Sequence, residues 1–263
     1  MRLRHFIGLC FWTVLLVGGS VAALAEDSGQ IKPQPSGGKG GEVGTFRDEK
    51  IEVAGKTRAY RLVVPKSVDG SHAVPLVFAF HGLGDSKDFM SWYSRLDELA
   101  EDKGFILIYP NALDRMWRLV IDWAKDDLAL FDALYDRATS KYNIDLNRVY
   151  LVGMSNGAYF THVVASQRAG KIAAIAAHSG GLGLIRTVEV ENKYAVLLIH
   201  GDKDGIVNVE ESRRARDAYL KWRHPVELVE LAGRRHFWAT SGGINERIWT
   251  YFEKHPRGPA SQR

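Results

Sequence analysis

The residues whose types and spacing point to chemistry begin at Gly153-Met154-Ser155-Asn156-Gly157, a G-x-S-x-G directly behind the apolar run Val149 to Val152 and ahead of a helical stretch. A strand that turns sharply into a helix presents the serine hydroxyl at its apex, and small residues on either side let the two elements cross without a clash. In a chain this rich in glycine the five-residue pattern alone is weak, so the weight falls on the strand in front of it. A serine hydroxyl is a poor nucleophile at neutral pH. It needs a general base, and the base needs a carboxylate to orient it.

In a strand-turn-helix arrangement of this kind the acid and then the base follow the serine in the chain. The run His200-Gly201-Asp202-Lys203-Asp204-Gly205-Ile206-Val207 places two acids in a loop behind the apolar stretch Tyr194 to His200. Asp204 is the expected orienter, with Asp202 in reserve. Of the later histidines, His224 sits beside Pro225 at a helix end and His255 lies near the C-terminus, which leaves His236, in the loop Ala232 to Trp238, as the base. Acyl transfer also needs donors for an oxyanion. The N–H of Asn156 is one expected donor, and the glycine-flanked loop His81-Gly82-Leu83-Gly84 offers the N–H of Leu83 as the second. Trp238, close to His236, is the expected substrate-facing aromatic, with Trp117 and Trp123 as further aromatic candidates.

These residues must be held by elements that alternate between strand-like and helix-like patterns, the mark of a mainly parallel sheet covered by helices on both faces. Ile51 to Val53 and Ala59 to Val64 read as an opening hairpin around Gly55. Val74 to Phe80, Phe105 to Tyr109, Val149 to Val152, Ile172 to Ala177, Tyr194 to His200 and Val226 to Leu231 read as strands, several of them continuous apolar runs expected to be buried on both faces. Helical spacing marks the stretches around Leu96 to Ala100, Leu130 to Tyr135, Glu210 to Trp222 and Asn245 to Lys254.

Taken together, Ala59 to Pro65, Pro75 to Gly84, Lys141 to Asp145, Arg148 to Tyr150, Gly153 to Gly157, His200-Gly201 with Asp204 and Val207, and His236 near Trp238 resemble the secreted polyhydroxybutyrate depolymerase and feruloyl esterase type hydrolases of the α/β-hydrolase superfamily. The resemblance covers about Arg58 to Phe252. It implies an α/β-hydrolase fold in three layers, a Ser-Asp-His triad that needs no cofactor, and activity on carboxylic esters such as feruloylated polysaccharide, polyhydroxyalkanoate or a small aryl ester. Two departures stand out: Arg234-Arg235 takes the place of small residues that often precede the base, and the cysteines of several relatives are missing. A serine peptidase of the same fold and a catalytically silent carbohydrate-binding relative are the other classes that this pattern allows.

Bulk properties agree with such an enzyme. The 263 residues are 46% hydrophobic and 25% charged, enough for one sizeable core, and the formal charge of +4 is too balanced for nucleic-acid binding. Residues 1–25 follow the order of an export signal: basic Arg2 and Arg4, an apolar run from Phe6 to Val17, and the small-residue site Ala23-Leu24-Ala25. That apolar run is short beside the ~20 residues that span a bilayer, so a secreted chain without stable membrane insertion is expected. Cys10, inside this signal, is the one cysteine, and no Cys/His spacing suggests a metal. Composition reads residues 26–44 as a flexible leader, 45–255 as the catalytic domain and 256–263 as a polar tail.

Overall fold

The computed structural model describes residues 31–183, 185, 189–240 and 242–258. The expected signal, its Cys10 and the last five residues lie outside the described residues. Among the described residues, eight strands form one sheet in the order β1-β2-β4-β3-β5-β6-β7-β8. β1 (Gly44–Val53), β2 (Lys56–Val64) and β4 (Ile106–Pro110) pair antiparallel. β3 (Val74–Phe80), β5 (Ile144–Met154), β6 (Ala174–His178), β7 (Ala195–Gly201) and β8 (Val226–Leu231) pair parallel, and β3 also pairs parallel with β4.

The layers follow from the two-residue period of a strand. On β3, Leu76, Phe78 and Phe80 point to one face, where they meet residues of α3 (Lys125–Lys141), α4 (Asn156–Gln167) and α5 (Glu210–Lys221). Val77 and Ala79 point to the other, toward α1 (Lys87–Ser94), α2 (Leu96–Lys103) and α6 (Ile244–Lys254). β5, β6 and β7 repeat this split, Leu151, Ile175 and Val196 on the first face against Val152, Ala176 and Leu197 on the second. Both faces are therefore dry, which is why these strands are almost unbrokenly apolar. Every strand that carries part of the site runs in the same direction, so their carboxyl ends deliver their loops to one edge of the sheet.

One expectation from composition is corrected at the start of the domain. Residues 34–42 do not behave as a free leader: the Gln34 N–H donates to Asp145, Ser36 N–H to the Ile144 carbonyl and Gly40 N–H to the Lys141 carbonyl. A Cβ on Gly38 would lie 2.2 Å from the Tyr142 carbonyl oxygen, so the glycines that looked like linker composition permit close docking. Within the tail, Arg257 donates from its backbone N–H to the Asn147 carbonyl and from its guanidinium to the Leu146 carbonyl.

Candidate active site

Ser155 stands between β5 and α4 with φ 54° and ψ −119°, a conformation in which a side chain costs roughly 1–3 kcal/mol. The flanking glycines make the turn possible. A Cβ on Gly153 would lie 2.3 Å from the Gly157 carbonyl oxygen, and one on Gly157 would lie 2.1 Å from that of Phe80. The Ser155 N–H donates to the His178 carbonyl at the end of β6. The Asn156 side chain clasps the backbone of Trp117 from both sides, accepting from its N–H at 2.8 Å and donating to its carbonyl at 3.2 Å.

The loops after β7 and β8 bring Asp204 and His236 to this turn. The Ser155 hydroxyl donates to His236 Nε2 at 2.9 Å, and His236 Nδ1–H donates to Asp204 Oδ2 at 2.7 Å. The Asp204 side chain is fully buried and that of His236 is 11% exposed. Asp204 Oδ1 accepts the N–H groups of Ile206 and Val207, each at 2.9 Å. Burial by itself would raise the Asp204 carboxyl, but the His236 hydrogen bond, the Val207 and Ile206 N–H groups and the His236 charge outweigh it and hold the carboxyl below its ordinary value. Asp202, the reserve acid, instead accepts the Gly233 N–H at 2.6 Å and so ties the acid loop to the base loop. His224 is buried with Nδ1 donating to the Tyr194 carbonyl, and His255 Nδ1 donates to the Tyr251 carbonyl, so neither reaches the serine.

The two expected oxyanion donors lie close by. The N–H of Asn156 opens α4 and has no intrahelical acceptor. Leu83 lines the same cleft as Ser155, and among the described residues its N–H donates to no protein acceptor. Its loop is held from behind by His81, which is fully buried: Nδ1–H donates to the Gly82 carbonyl and Nε2 accepts the Ala112 N–H. Burial, with a smaller push from Arg115 and against the Gly82 hydrogen bond, lowers His81 to about 4, so the ring is neutral at pH 7 and fixed as the Nδ1–H tautomer.

Ser155 and His236 open into a cleft of about 700 Å³ lined by Leu83, Asp85, Phe89, Trp92, Tyr93, Ile206, Phe237 and Trp238, among others. Of nine exposed large apolar side chains among the described residues, five border this cleft, so exposed apolar surface is concentrated at its mouth. Trp238 lines the cleft and is otherwise buried. Its indole stacks on His178 with centroids 5.1 Å apart and donates to Asn245 Oδ1. Trp117 is packing, buried against Phe80 and Phe160 with its indole N–H on the His81 carbonyl, and Trp123 is exposed but does not line the cleft.

Sequence reasoning missed Phe89 and Trp92, three residues apart on the outer face of α1 and stacked with centroids 5.4 Å apart. The available signal was the N-cap Ser86 followed by an i, i+3 aromatic pair with Met90 on the opposite, buried face. Asp85 was missed as well. Burial raises its carboxyl, partly offset by a Gly82 hydrogen bond and the Arg115 and His236 charges.

The phospholipase/carboxylesterase family model matches residues 125–241. The chain is 30% identical over 167 residues to a bifunctional acetylxylan esterase/xylanase of Neocallimastix patriciarum, covering 64% of this chain and 24% of that protein. It is 26% identical over 213 residues to feruloyl esterase D of Neurospora crassa, covering 77% of this chain and 70% of the relative. The chain thus spans from about a quarter to seven tenths of the length of these curated relatives. Among solved structures, a ferulic acid esterase from Anaeromyces mucronatus in complex with ferulic acid aligns with a TM-score of 0.63 at 17% identity, covering 86% of this chain and 97% of that one. A thermostable esterase aligns with a TM-score of 0.66 at 20% identity, covering 80% of this chain and 63% of the other. With an eight-stranded sheet of this order and a serine on its strand-to-helix turn, the chain has the α/β-hydrolase fold, and its residues 125–241 match the phospholipase/carboxylesterase family model.

Proposed function

We propose that this protein is a serine hydrolase of carboxylic esters in which Ser155 is the nucleophile, His236 the general base and Asp204 its orienter. The observation that carries the reading is the unbroken hydrogen-bond chain from Ser155 through His236 to Asp204 at the floor of an apolar cleft. His236 Nε2 takes the serine proton as Oγ attacks the ester carbonyl, and the N–H groups of Leu83 and Asn156 hold the oxyanion. The proton then passes from His236 to the departing alkoxide, which leaves as the alcohol. A water molecule, deprotonated by His236 in turn, attacks the acyl-serine and releases the carboxylic acid. Asp204 stays ionised throughout, which its lowered carboxyl favours.

The substrate class that fits best is an ester with a flat or ring-bearing group, of feruloyl or acetyl-polysaccharide type. The aromatic lining of Phe89, Trp92, Tyr93, Phe237 and Trp238 supports this, and so do the names of the relatives. Secretion belongs to the same proposal, supported by the signal pattern of residues 1–25. Among the described residues no helix is long and apolar enough to cross a membrane.

The test is hydrolysis of p-nitrophenyl acetate and methyl ferulate by the purified protein beside its Ser155→Ala variant. Turnover of both that disappears in the variant is the expected result. Turnover that persists in the variant, or an enzyme that cleaves peptide amides as readily as esters, would contradict the proposal.

A further inference from the structure

A second histidine reaches Asp204, at the same carboxylate oxygen as His236. His200, near the end of β7, is completely buried. Its Nδ1 lies 2.7 Å from the hydroxyl of Ser212 on α5, which also lies 2.8 Å from the Gly180 carbonyl; the hydroxyl carries one proton, so a ring protonated on Nε2 accepts it at Nδ1. Its Nε2 faces two acceptors, the Val207 carbonyl at 2.9 Å and Asp204 Oδ2 at 3.2 Å. A bare nitrogen lone pair between a carbonyl and a carboxylate would be repelled by both, so the proton belongs on Nε2.

We propose that His200 is a positioning residue for the reaction, acting through Asp204: its Nε2–H holds the same oxygen, Oδ2, on which His236 hangs, and sets how strongly that oxygen attracts the imidazole. This rests on the triad reading above. Two effects follow. By holding Val207 and Asp204 at once, His200 fixes the acid loop against β7. By drawing charge from Oδ2, it also keeps Asp204 from overstabilising the protonated form of His236, which is inactive as a base. Without that N–H, His236 would hold its proton to higher pH and the acid limb of kcat/KM would move upward.

Other groups face this cluster and stay unchanged in the test. Asp204 is also faced by His178 at the end of β6 and by Tyr159 on α4. His236 is faced by Asp85 in the loop after β3 and by His178, and His200 is faced by His178 and by Glu230 on β8. A shift of the acid limb on substituting residue 200 therefore reports on residue 200.

The experiment compares His200→Met, which fills the space without a donor, with His200→Gln, whose amide N–H reaches the position of Nε2. For p-nitrophenyl acetate, His200→Met is expected to lower kcat about tenfold at unchanged KM, the size of one lost hydrogen bond to a charged group, and to raise the acid limb. His200→Gln is expected to recover most of both. Equal losses in the two variants, or an unmoved acid limb in His200→Met, would mean that His200 only packs and would overturn the proposal. Should the variants not fold, nitrogen-15 NMR of the wild-type imidazoles decides it: a proton on Nε2 of His200 is expected, and a ring protonated on Nδ1 alone overturns it. Failure of the triad reading would show separately, as turnover that survives Ser155→Ala.

Discussion

At the scale of single residues, Asp204 acts in the proposed reaction as an orienter that keeps its charge. Asp204→Asn keeps the shape but loses the charge and the tautomer control, so kcat for p-nitrophenyl acetate should fall by about 10³–10⁴ with KM little changed. Steady-state kinetics on the folded variant check this, and a loss below tenfold would remove Asp204 from the mechanism. The serine turn is equally demanding, because a Cβ on Gly157 would strike the Phe80 carbonyl oxygen at 2.1 Å. That Ser155, Asp204 and His236 meet was legible in the sequence, since each follows an apolar strand and those strands run parallel to one edge of the sheet. The split between Asp202 and Asp204 rested on position alone, and the structure gives it a physical form: Oδ1 of Asp202 accepts the Gly233 N–H, and Asp204 faces inward to His236. Phe89 and Trp92 were not legible as cleft residues, because an aromatic pair at helical spacing looks the same whether it faces a core or a cleft.

At the scale of elements, the site depends on how closely the loops behind β7 and β8 approach one another. Gly201 is the contact point: a Cβ there would lie 2.3 Å from the Arg234 carbonyl oxygen, which also accepts the Lys203 N–H. Gly201→Ala should therefore push His236 away from Asp204 and cost more than tenfold in kcat/KM while circular dichroism keeps its native shape. Native kinetics in that variant would contradict the close-approach argument. On the other side of the cleft, α1 carries the exposed Trp92 (72% exposed) on its outer face. Trp92→Ala should raise KM severalfold for methyl ferulate and leave p-nitrophenyl acetate nearly unaffected, because the smaller acyl group does not reach the rim. An equal effect on both esters would make Trp92 a structural residue. Strands β3 and β7 were readable almost to the residue because burial on both faces leaves an unbroken apolar run, whereas β8, only partly buried, was readable from its β-branched and apolar residues around Glu227 and Glu230. β1 and the first half of β5 were not, since β1 is an edge strand with a register shift between Phe46 and Glu49, and β5 begins among polar residues.

At the scale of the whole molecule, burial of neutral histidines sets the response to acid. His162 and His178 are lowered to about 3 and His81 to about 4, in each case chiefly by burial. Each imidazole is harder to protonate in the folded chain than in the unfolded one, so below about pH 6.5 the unfolded chain takes up protons that the folded chain refuses. Stability is then full above that pH and falls as pH drops toward the folded values. Between pH 6.5 and pH 5 each ring should cost about 2 kcal/mol. Urea unfolding at the two pH values checks this, and equal midpoints would contradict it. The lowered carboxyl of Asp204 contributes stability with the opposite dependence on charge: it is present above the unfolded carboxyl range and lost only as pH falls through the lower folded value.

Whether Ser155 forms the covalent acyl intermediate is decided by labelling with a fluorophosphonate and locating the adduct by peptide mass spectrometry. One adduct per chain is expected, on the peptide containing Ser155, with esterase activity lost in proportion to labelling and no adduct in Ser155→Ala. Full activity in the presence of the reagent, or inactivation with the adduct on another residue, would contradict it.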